Sequence, residues 1–294
     1  MDLSQLVFNR LAQDHALTDM LAEYAGQPAI FNTEFPADQQ EGWGGKTQYP
    51  RIEYQFNMQV DMKRAASGTL MMAIYTEKNP LVAEQIEMQV RRSLKDVLMK
   101  PSGEAPFCMA WASTEPYALE GNAIICKELM FDILEYPDQE TTDPDPVAAL
   151  SNYIKELYPD SIVLGVDRIG EYTNPAETPV FYCRLQRIVL DPSGYCQNTV
   201  TWFNAGISVH LLCPDAGMRL KMVAGLNQKL ANAARITMLD DSLMTIRALE
   251  VNNRADYLRE GQLDMTGHFG CLKESYVPPR LNQADLHVNF IREA

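Results

Sequence analysis

One five-residue pattern occurs twice in this chain, as Tyr117-Ala118-Leu119-Glu120-Gly121 and as Tyr257-Leu258-Arg259-Glu260-Gly261. Each copy follows a helix-patterned stretch and opens a strand-patterned one. A 294-residue chain ordered the same way twice reads as a tandem duplication. That restricts the fold to one supersecondary unit built twice, each half long enough to bury a core of its own. The residues inside the two copies differ, Ala118-Leu119 against Leu258-Arg259, and no nucleophile or base accompanies either. The repeat is therefore read as architecture and not as two copies of an active site.

The first half opens on a helical stripe, Leu3, Leu6, Val7 and Leu11, which resumes through Leu17, Met20, Leu21 and Tyr24 to Gly26. A polar loop with Pro36, Trp43, Gly44 and Gly45 follows. Over Arg51–Val60 the residues Ile52, Tyr54, Phe56, Met58 and Val60 alternate with polar ones, the signature of a half-buried strand with a wet face. Thr69–Tyr75 reads as a second strand, apolar on both faces. Asn79-Pro80 starts a helix, because proline suits the first turn. Its stripe is Val82, Ile86, Val90, Leu94 and Val97, and strands follow near Phe107–Ala112 and Asn122–Leu134.

The second half repeats the order. Val147, Leu150, Ile154 and Leu157 predict a helix, and Val180–Leu190 and Ile207–Leu212 predict strands. Pro214-Asp215 introduces a helix with Met222, Leu226, Leu230 and Ala233 on one face. Strands follow near Met244–Val251 and Gln262–Cys271, the last alternating Leu263, Met265, Gly267, Phe269 and Cys271 with polar residues. Glu135–Pro146, with three prolines and five acidic residues, predicts a solvated, semi-stiff linker. The expected units are residues 1–137, a linker at 138–146, residues 147–275, and a tail at 276–294. In the tail Leu286, Val288 and Phe290 alternate with His287 and Asn289, as a closing strand or as an arm for a neighbour's sheet. Hairpins with helices on one face and a wet face opposite make the expected class α+β, two similar domains with mainly antiparallel sheets.

A formal net charge of −14 argues against a protein that coats nucleic acid, since phosphate neutralisation needs clustered Lys and Arg. Cys108, Cys126, Cys183, Cys196, Cys213 and Cys271 form no Cys-x-x-Cys pair and read as buried free thiols of a reducing compartment. No apolar run is long enough for a membrane span. Gly42-Trp43-Gly44-Gly45-Lys46-Thr47 lacks the glycine spacing of a phosphate loop and reads as a turn. His15, His210, His268 and His287 are scattered, with no second ligand at metal spacing. Asp143 and Asp145 share a Pro-rich segment that would not hold two carboxylates in place. Tyr54 and Phe56 lack the basic flanks of an RNA-reading sheet. The reading is a non-enzyme with no cofactor, no metal and no catalytic residue.

The order of elements resembles that of the tail-terminator and tail-completion proteins of tailed bacteriophages. The resemblance rests on the N-terminal helix with Ala16-Leu17-Thr18-Asp19-Met20-Leu21, the entries Ala29-Ile30-Phe31 and Arg168-Ile169-Gly170-Glu171-Tyr172, and proline before the first long strand at Tyr49-Pro50-Arg51-Ile52 and Thr178-Pro179-Val180-Phe181. It covers nearly the whole chain except the linker and tail; the family's usual member has one such domain, and this chain carries two. The resemblance implies a structural virion protein in the neck or tail, assembled in the host cytoplasm. It implies a homo-oligomeric ring that stops tube growth, with the tail tube protein and the head connector or adaptor proteins as partners. DNA would pass through its lumen without sequence-specific binding, a place that an acidic balance suits. Tandem fusion allows three chains making six domains or six chains with specialised halves, and the dissimilar halves favour six. Other readings are another neck, collar or baseplate subunit, or a small-molecule module using the cleft between the halves. As the interaction surface the sequence offers the loop with Trp43 and Lys46 and the tail residues Leu286, Val288 and Phe290.

Overall fold

A computed structural model of the chain describes residues 2–37, 40–43, 48–77, 79–119, 123–192, 199–253 and 256–273. In the first half α1 (Leu3–Ala12) and α2 (His15–Thr18) precede a small hairpin of β1 (Glu23–Tyr24) and β2 (Gln27–Pro28). Then come β3 (Ile30–Asn32), β4 (Arg51–Asn57), β5 (Gly68–Glu77), α3 (Pro80–Leu94), β6 (Leu98–Met99), β7 (Phe107–Leu119) and β8 (Ile124–Glu135). The second half contains α4 (Pro146–Leu157), β9 (Ile162–Val163), β10 (Tyr172–Thr173), β11 (Val180–Leu190) and β12 (Val200–Leu212). It continues with α5 (Ala216–Ala233), β13 (Arg235–Thr237), β14 (Leu243–Val251), α6 (Tyr257–Glu260) and β15 (Leu263–Leu272). The protein is α+β, with sheets that are mainly antiparallel.

The two large sheets share one topology. The first runs β10-β6-β7-β8-β5-β4-β3, the second β13-β14-β15-β12-β11-β9. Removing the short edge pieces β10, β6 and β13 leaves β7-β8-β5-β4-β3 and β14-β15-β12-β11-β9, the same order strand for strand. In both, the edge strand is parallel to its neighbour and the remaining pairs are antiparallel. Both also carry a one-residue bulge in the corresponding strand, between Trp111 and Ser113 in β7 and between Ile246 and Ala248 in β14. The long helices cover one face of each sheet and leave the other, the helix-free face, uncovered apart from the one-turn α6 on the second sheet. Leu6, Leu11, Ile86 and Val90 of α1 and α3 pack on Leu70, Met72 and Ile74 of β5. Leu150, Ile154, Leu226 and Leu230 of α4 and α5 pack on Ile207 and Val209 of β12.

Local chemistry starts the helices. Asp2 caps α1 by accepting from Gln5 N at 2.7 Å, and Asn79 caps α3 ahead of Pro80. Asp145 accepts from both Val147 N and Ala148 N, and Asp215 from Met218 N at 2.6 Å. Each cap satisfies a donor that the first turn leaves over and contributes about 1 kcal/mol. The strands expected at Val180–Leu190, Met244–Val251 and Gln262–Cys271 form at those places to within a residue.

Several local expectations are corrected. The helix expected through Tyr24 stops at Thr18: by Ala22 the backbone has left the helix and donates to Pro50 O, and Ala25 and Gly26, both at positive φ (49° and 77°), make the tight turn between β1 and β2. The strand expected to reach Val60 ends at Asn57. Beyond it Asp61 accepts from Lys63 N and Arg64 N, a turn that leaves Met58 and Val60 exposed. β5 is apolar on both faces as expected, with Leu70, Met72 and Ile74 on one and Met71, Ala73 and Tyr75 on the other, but its burial alternates residue by residue, so the second face is only half-buried. The repeated pentapeptide takes two conformations. Tyr117 to Leu119 end the long strand β7, whereas Tyr257 to Glu260 form α6, capped by Asp256 on Arg259 N. Each copy still precedes the last long strand of its half. The segment between the halves is not a solvated tether. Pro144 and Pro146 are buried, Gln139 accepts from Leu185 N at 2.7 Å, and Asp145 holds Thr141 as well as α4.

Candidate assembly surface

The helix-free faces of the two sheets meet at one end. Cys108, Ala110 and Leu134 on the first sheet contact Val180, Tyr182 and Leu212 on the second, with Tyr136 and Leu258 of α6 closing the cluster. Each large apolar side chain withdrawn from water there contributes roughly 1.5–3 kcal/mol. Tyr136, Tyr182 and His210 form an aromatic group with ring centroids 5.3 to 6.3 Å apart. Tyr136 donates to Leu258 O at 3.2 Å and Tyr182 donates to Pro137 O at 2.8 Å, so both buried hydroxyls are satisfied. Arg184 donates to Glu135 O at 3.0 Å.

His210 has no exposed surface. Its Nδ1 lies 3.1 Å from Leu258 O and its Nε2 has no partner among the described residues. Burial first, and the nearby Arg184 second, hold the imidazole down to about 4, so the ring is neutral and Nδ1 carries the proton toward the carbonyl. Burial also raises the Asp96 carboxyl, against the pull of Lys95, and raises the Cys108 thiol well above its ordinary value.

A polar clasp lies beside the apolar cluster. Arg259 of α6 donates from Nε to Arg64 O at 2.6 Å and pairs with Asp256 and with the buried Asp132 of β8, which Arg64 reaches as well at 2.8 Å. A second link comes from β10, which belongs to the second half in sequence but pairs with β6 in the first sheet. Tyr172 of β10 donates to Leu6 O of α1 at 2.9 Å, and Arg10 lies over its ring. Sequence reading missed both links. Their partners are separated by 166 and 127 residues, and no local pattern marks such pairs.

Away from the junction each helix-free face stays open. On the first sheet Glu53, Gln55, Met71, Tyr75, Tyr117 and Glu128 line a depression of about 200 Å³. Tyr75 is pushed up to about 12 by burial, then by Cys126 and Glu53, so its hydroxyl stays protonated and donates to Glu53 at 3.3 Å. On the second sheet Arg184, Arg187, Ser208, Arg259, Asp264 and Thr266 line a depression of about 490 Å³. Trp202 stacks on His268 at 4.9 Å and 5°, and His268 reaches Asp191 at 2.9 Å.

The residues that the sequence offered as an interaction surface are not brought together. Trp43 is 4% exposed, packed edge-on against Tyr24 and Phe31 with its Nε1 donating to Ala37 O at 3.2 Å. The exposed indole expected there is thus a core residue of the loop, because a neighbouring aromatic pair offers it more burial than solvent does. Lys46, Leu286, Val288 and Phe290 lie outside the described residues. Exposed large apolar side chains occur at Met58, Val60 and Met62 after β4, at Tyr117 and Leu119 on the β7–β8 hairpin, and at Val189, Leu190 and Leu272 on the second sheet, as well as singly on the helices and their loops, as at Leu81, Met88, Leu220 and Leu239. Cys108, Cys126, Cys183 and Cys213 are buried free thiols and Cys271 is half-buried, while Cys196 lies outside the described residues. Among the described residues no group of three or more His, Cys, Asp or Glu is placed to hold a metal, and no helix is long and apolar enough to cross a membrane.

No family model matches the chain, and no curated protein matches it. Among solved structures it is similar to a chain of one described as "Virion of native gene transfer agent (GTA) particle", at 11% identity and a TM-score of 0.30, over 45% of this chain and 92% of that one. That TM-score is below the level of a shared fold.

Proposed function

We propose that this chain is a structural virion protein of the tail-terminator and tail-completion kind. In this reading it forms a ring, of six chains, at the top of a tail tube. The ring ends tube growth and joins the tail to the head connector around the DNA channel. The observation that carries the reading is the repeated sheet order β7-β8-β5-β4-β3 and β14-β15-β12-β11-β9, each with helices on one face. It supports two copies of one α+β unit, the organisation on which the family resemblance rests. Two halves clasped through buried Asp132, Tyr136 and His210 suit a part that transmits position between neighbours, since apolar burial and paired charges resist separation. The net charge of −14 suits a lumen that lets a phosphate backbone pass without capture.

Native mass spectrometry and symmetry-averaged electron imaging of the full chain, alone and with tube protein, test the reading. Closed rings that cap tube ends support it. Monomers at all concentrations, with no binding to tube or connector, reject it. The depression around Arg184, Arg187 and Ser208 favours a second reading, a module that binds a small anionic ligand. A thermal-shift screen with nucleotides and phosphate separates the two.

A further inference from the structure

The open parts of the two helix-free faces differ in charge. On the first sheet Glu53, Ala73, Glu128 and Glu115 lie in one row across β4, β5, β8 and β7. Neighbouring strands are about 4.8 Å apart, so Glu128 and Glu115 face each other directly, a like-charge pairing that costs stability. Among the described residues no ion pair neutralises any of the three glutamates. Counted from the bulge that both sheets share, the matching row of the second sheet is Arg184, Ser208, Asp264 and Glu250. That row is mixed in charge, and its Asp264 is hydrogen-bonded inside the chain. Ser208 donates to Asp264 at 2.7 Å, Asn252 lies 3.4 Å from its other oxygen, and an arginine stands where the first sheet has Glu53. The first row carries no cation; its Glu53 accepts from the neutral Tyr75 hydroxyl at 3.3 Å.

The open part of the second face carries guanidinium groups among apolar side chains. Arg187 lies across Gly206, where an added Cβ would come within 3.1 Å of its Cγ. Arg247, at the β14 bulge, approaches His268 Nδ1 at 3.4 Å. Around them stand half-exposed Val189, the Trp202–His268 stack, and Leu272 at 81% exposure. The first face sets Met71, Tyr117, Leu119 and Met130 beside its glutamates. Both faces thus offer apolar area, one edged with carboxylates and the other with arginines. Within one molecule these same faces already pack against each other at their junction ends, through Leu134, Tyr136, Tyr182 and Leu212.

We infer that a second copy of this chain continues that packing: the open end of the first sheet in one molecule docks on the open end of the second sheet in the next, with the Glu53–Glu128–Glu115 row facing Arg187 and Arg247. The two surfaces are different, so the contact is heterologous and runs head to tail, the kind that closes into a ring when the rotation allows. Charge complementarity selects the partner and the register, while the apolar side chains supply the area. The inference rests on the ring reading above and names the surfaces that would build it.

Charge reversal in the full-length chain tests it, with sedimentation velocity and native mass spectrometry as readouts and thermal unfolding as the control for folding. Wild type assembles, while Glu128→Lys and Arg187→Glu each weaken association about tenfold or more without lowering the unfolding midpoint; Glu128→Lys, which removes the like-charge pairing with Glu115, leaves it unchanged or raises it. Val189→Asp weakens it too. A chain carrying both reversals assembles again, and an equimolar mixture of the two single variants recovers assembly, which requires these two faces to contact each other; species larger than a dimer in native mass spectrometry mark the contact as head to tail rather than two-fold. If wild type assembles and the single variants assemble equally well, the surface assignment is overturned and the ring reading stands. If the single variants fail and neither the double variant nor the mixture recovers, pairing between these faces is overturned. If wild type remains monomeric with and without tube protein, both readings fall.

Discussion

Acidification should weaken the junction between the sheets through one residue, His210. Its imidazole is held at about 4 against an ordinary 6.5, chiefly by burial. A depressed value means that the folded state excludes a proton which the unfolded chain accepts. The stability is therefore fully present above pH 6.5 and is lost as the pH falls toward 4. At about 1.4 kcal/mol per unit, and allowing for half-protonation of the folded state at its own midpoint, this one group removes roughly 2 kcal/mol by pH 5 and roughly 3 kcal/mol by pH 4. Charging it would place an unpaired cation beside Arg184 and between the Tyr136 and Tyr182 rings. The assay is urea unfolding of wild type and His210→Leu at intervals from pH 7.5 to pH 4. Leucine keeps approximately the same volume and cannot titrate. Leu258 O stays satisfied in the variant by the Tyr136 hydroxyl, so the cost at pH 7.5 is about 1 kcal/mol. The other titratable groups are common to both proteins and cancel in the difference. The variant's stability curve should be flatter by roughly 3 kcal/mol between pH 7 and pH 4. Parallel curves would refute the reasoning, because they would mean that His210 is solvated or charged in the folded state.

Three further outcomes follow from the clasp and the caps. Arg259→Leu leaves the buried Asp132 with Arg64 as its remaining cation and should cost about 2–3 kcal/mol in urea unfolding, less than the loss of a sole partner. Gly261→Ala places a Cβ 2.9 Å from Val209 O at φ +71° and ψ 179°, a backbone region open almost only to glycine; a loss of about 1–3 kcal/mol is expected by the same measurement, and an unchanged midpoint contradicts the geometry. Asp145→Ala removes the cap from α4 and the hold on Thr141 together, and should lower stability by about 1 kcal/mol, with Asp145→Asn recovering most of it.

Much of the local structure was legible because its causes are local. Asn79-Pro80 and Pro214-Asp215 mark helix starts through donors and acceptors a few residues away, and alternation along Gln262–Cys271 reports one buried face of that strand. The shared order of elements in the two halves was legible for the same reason. The repeated pentapeptide, by contrast, was a guide to position and not to conformation: its surroundings make Tyr117 a strand residue and Tyr257 a helix residue. Trp43 shows the limit most plainly, since a tryptophan in a Gly-rich loop reads as exposed until Tyr24 and Phe31 are brought beside it.

By itself, then, the sequence determined the α+β class, most helix starts, the faces of the principal strands, and the acidic balance of −14. Only the tertiary structure decided which strands became neighbours, that β10 completes the sheet of the other half, and that Asp132 meets Arg259. It also placed Glu53, Glu115 and Glu128 in a single row on an open face. The physical reason is range. Capping and alternation act within a few residues, whereas cross-strand pairs and buried clasps join groups far apart in the chain, whose proximity exists only once the sheets have formed.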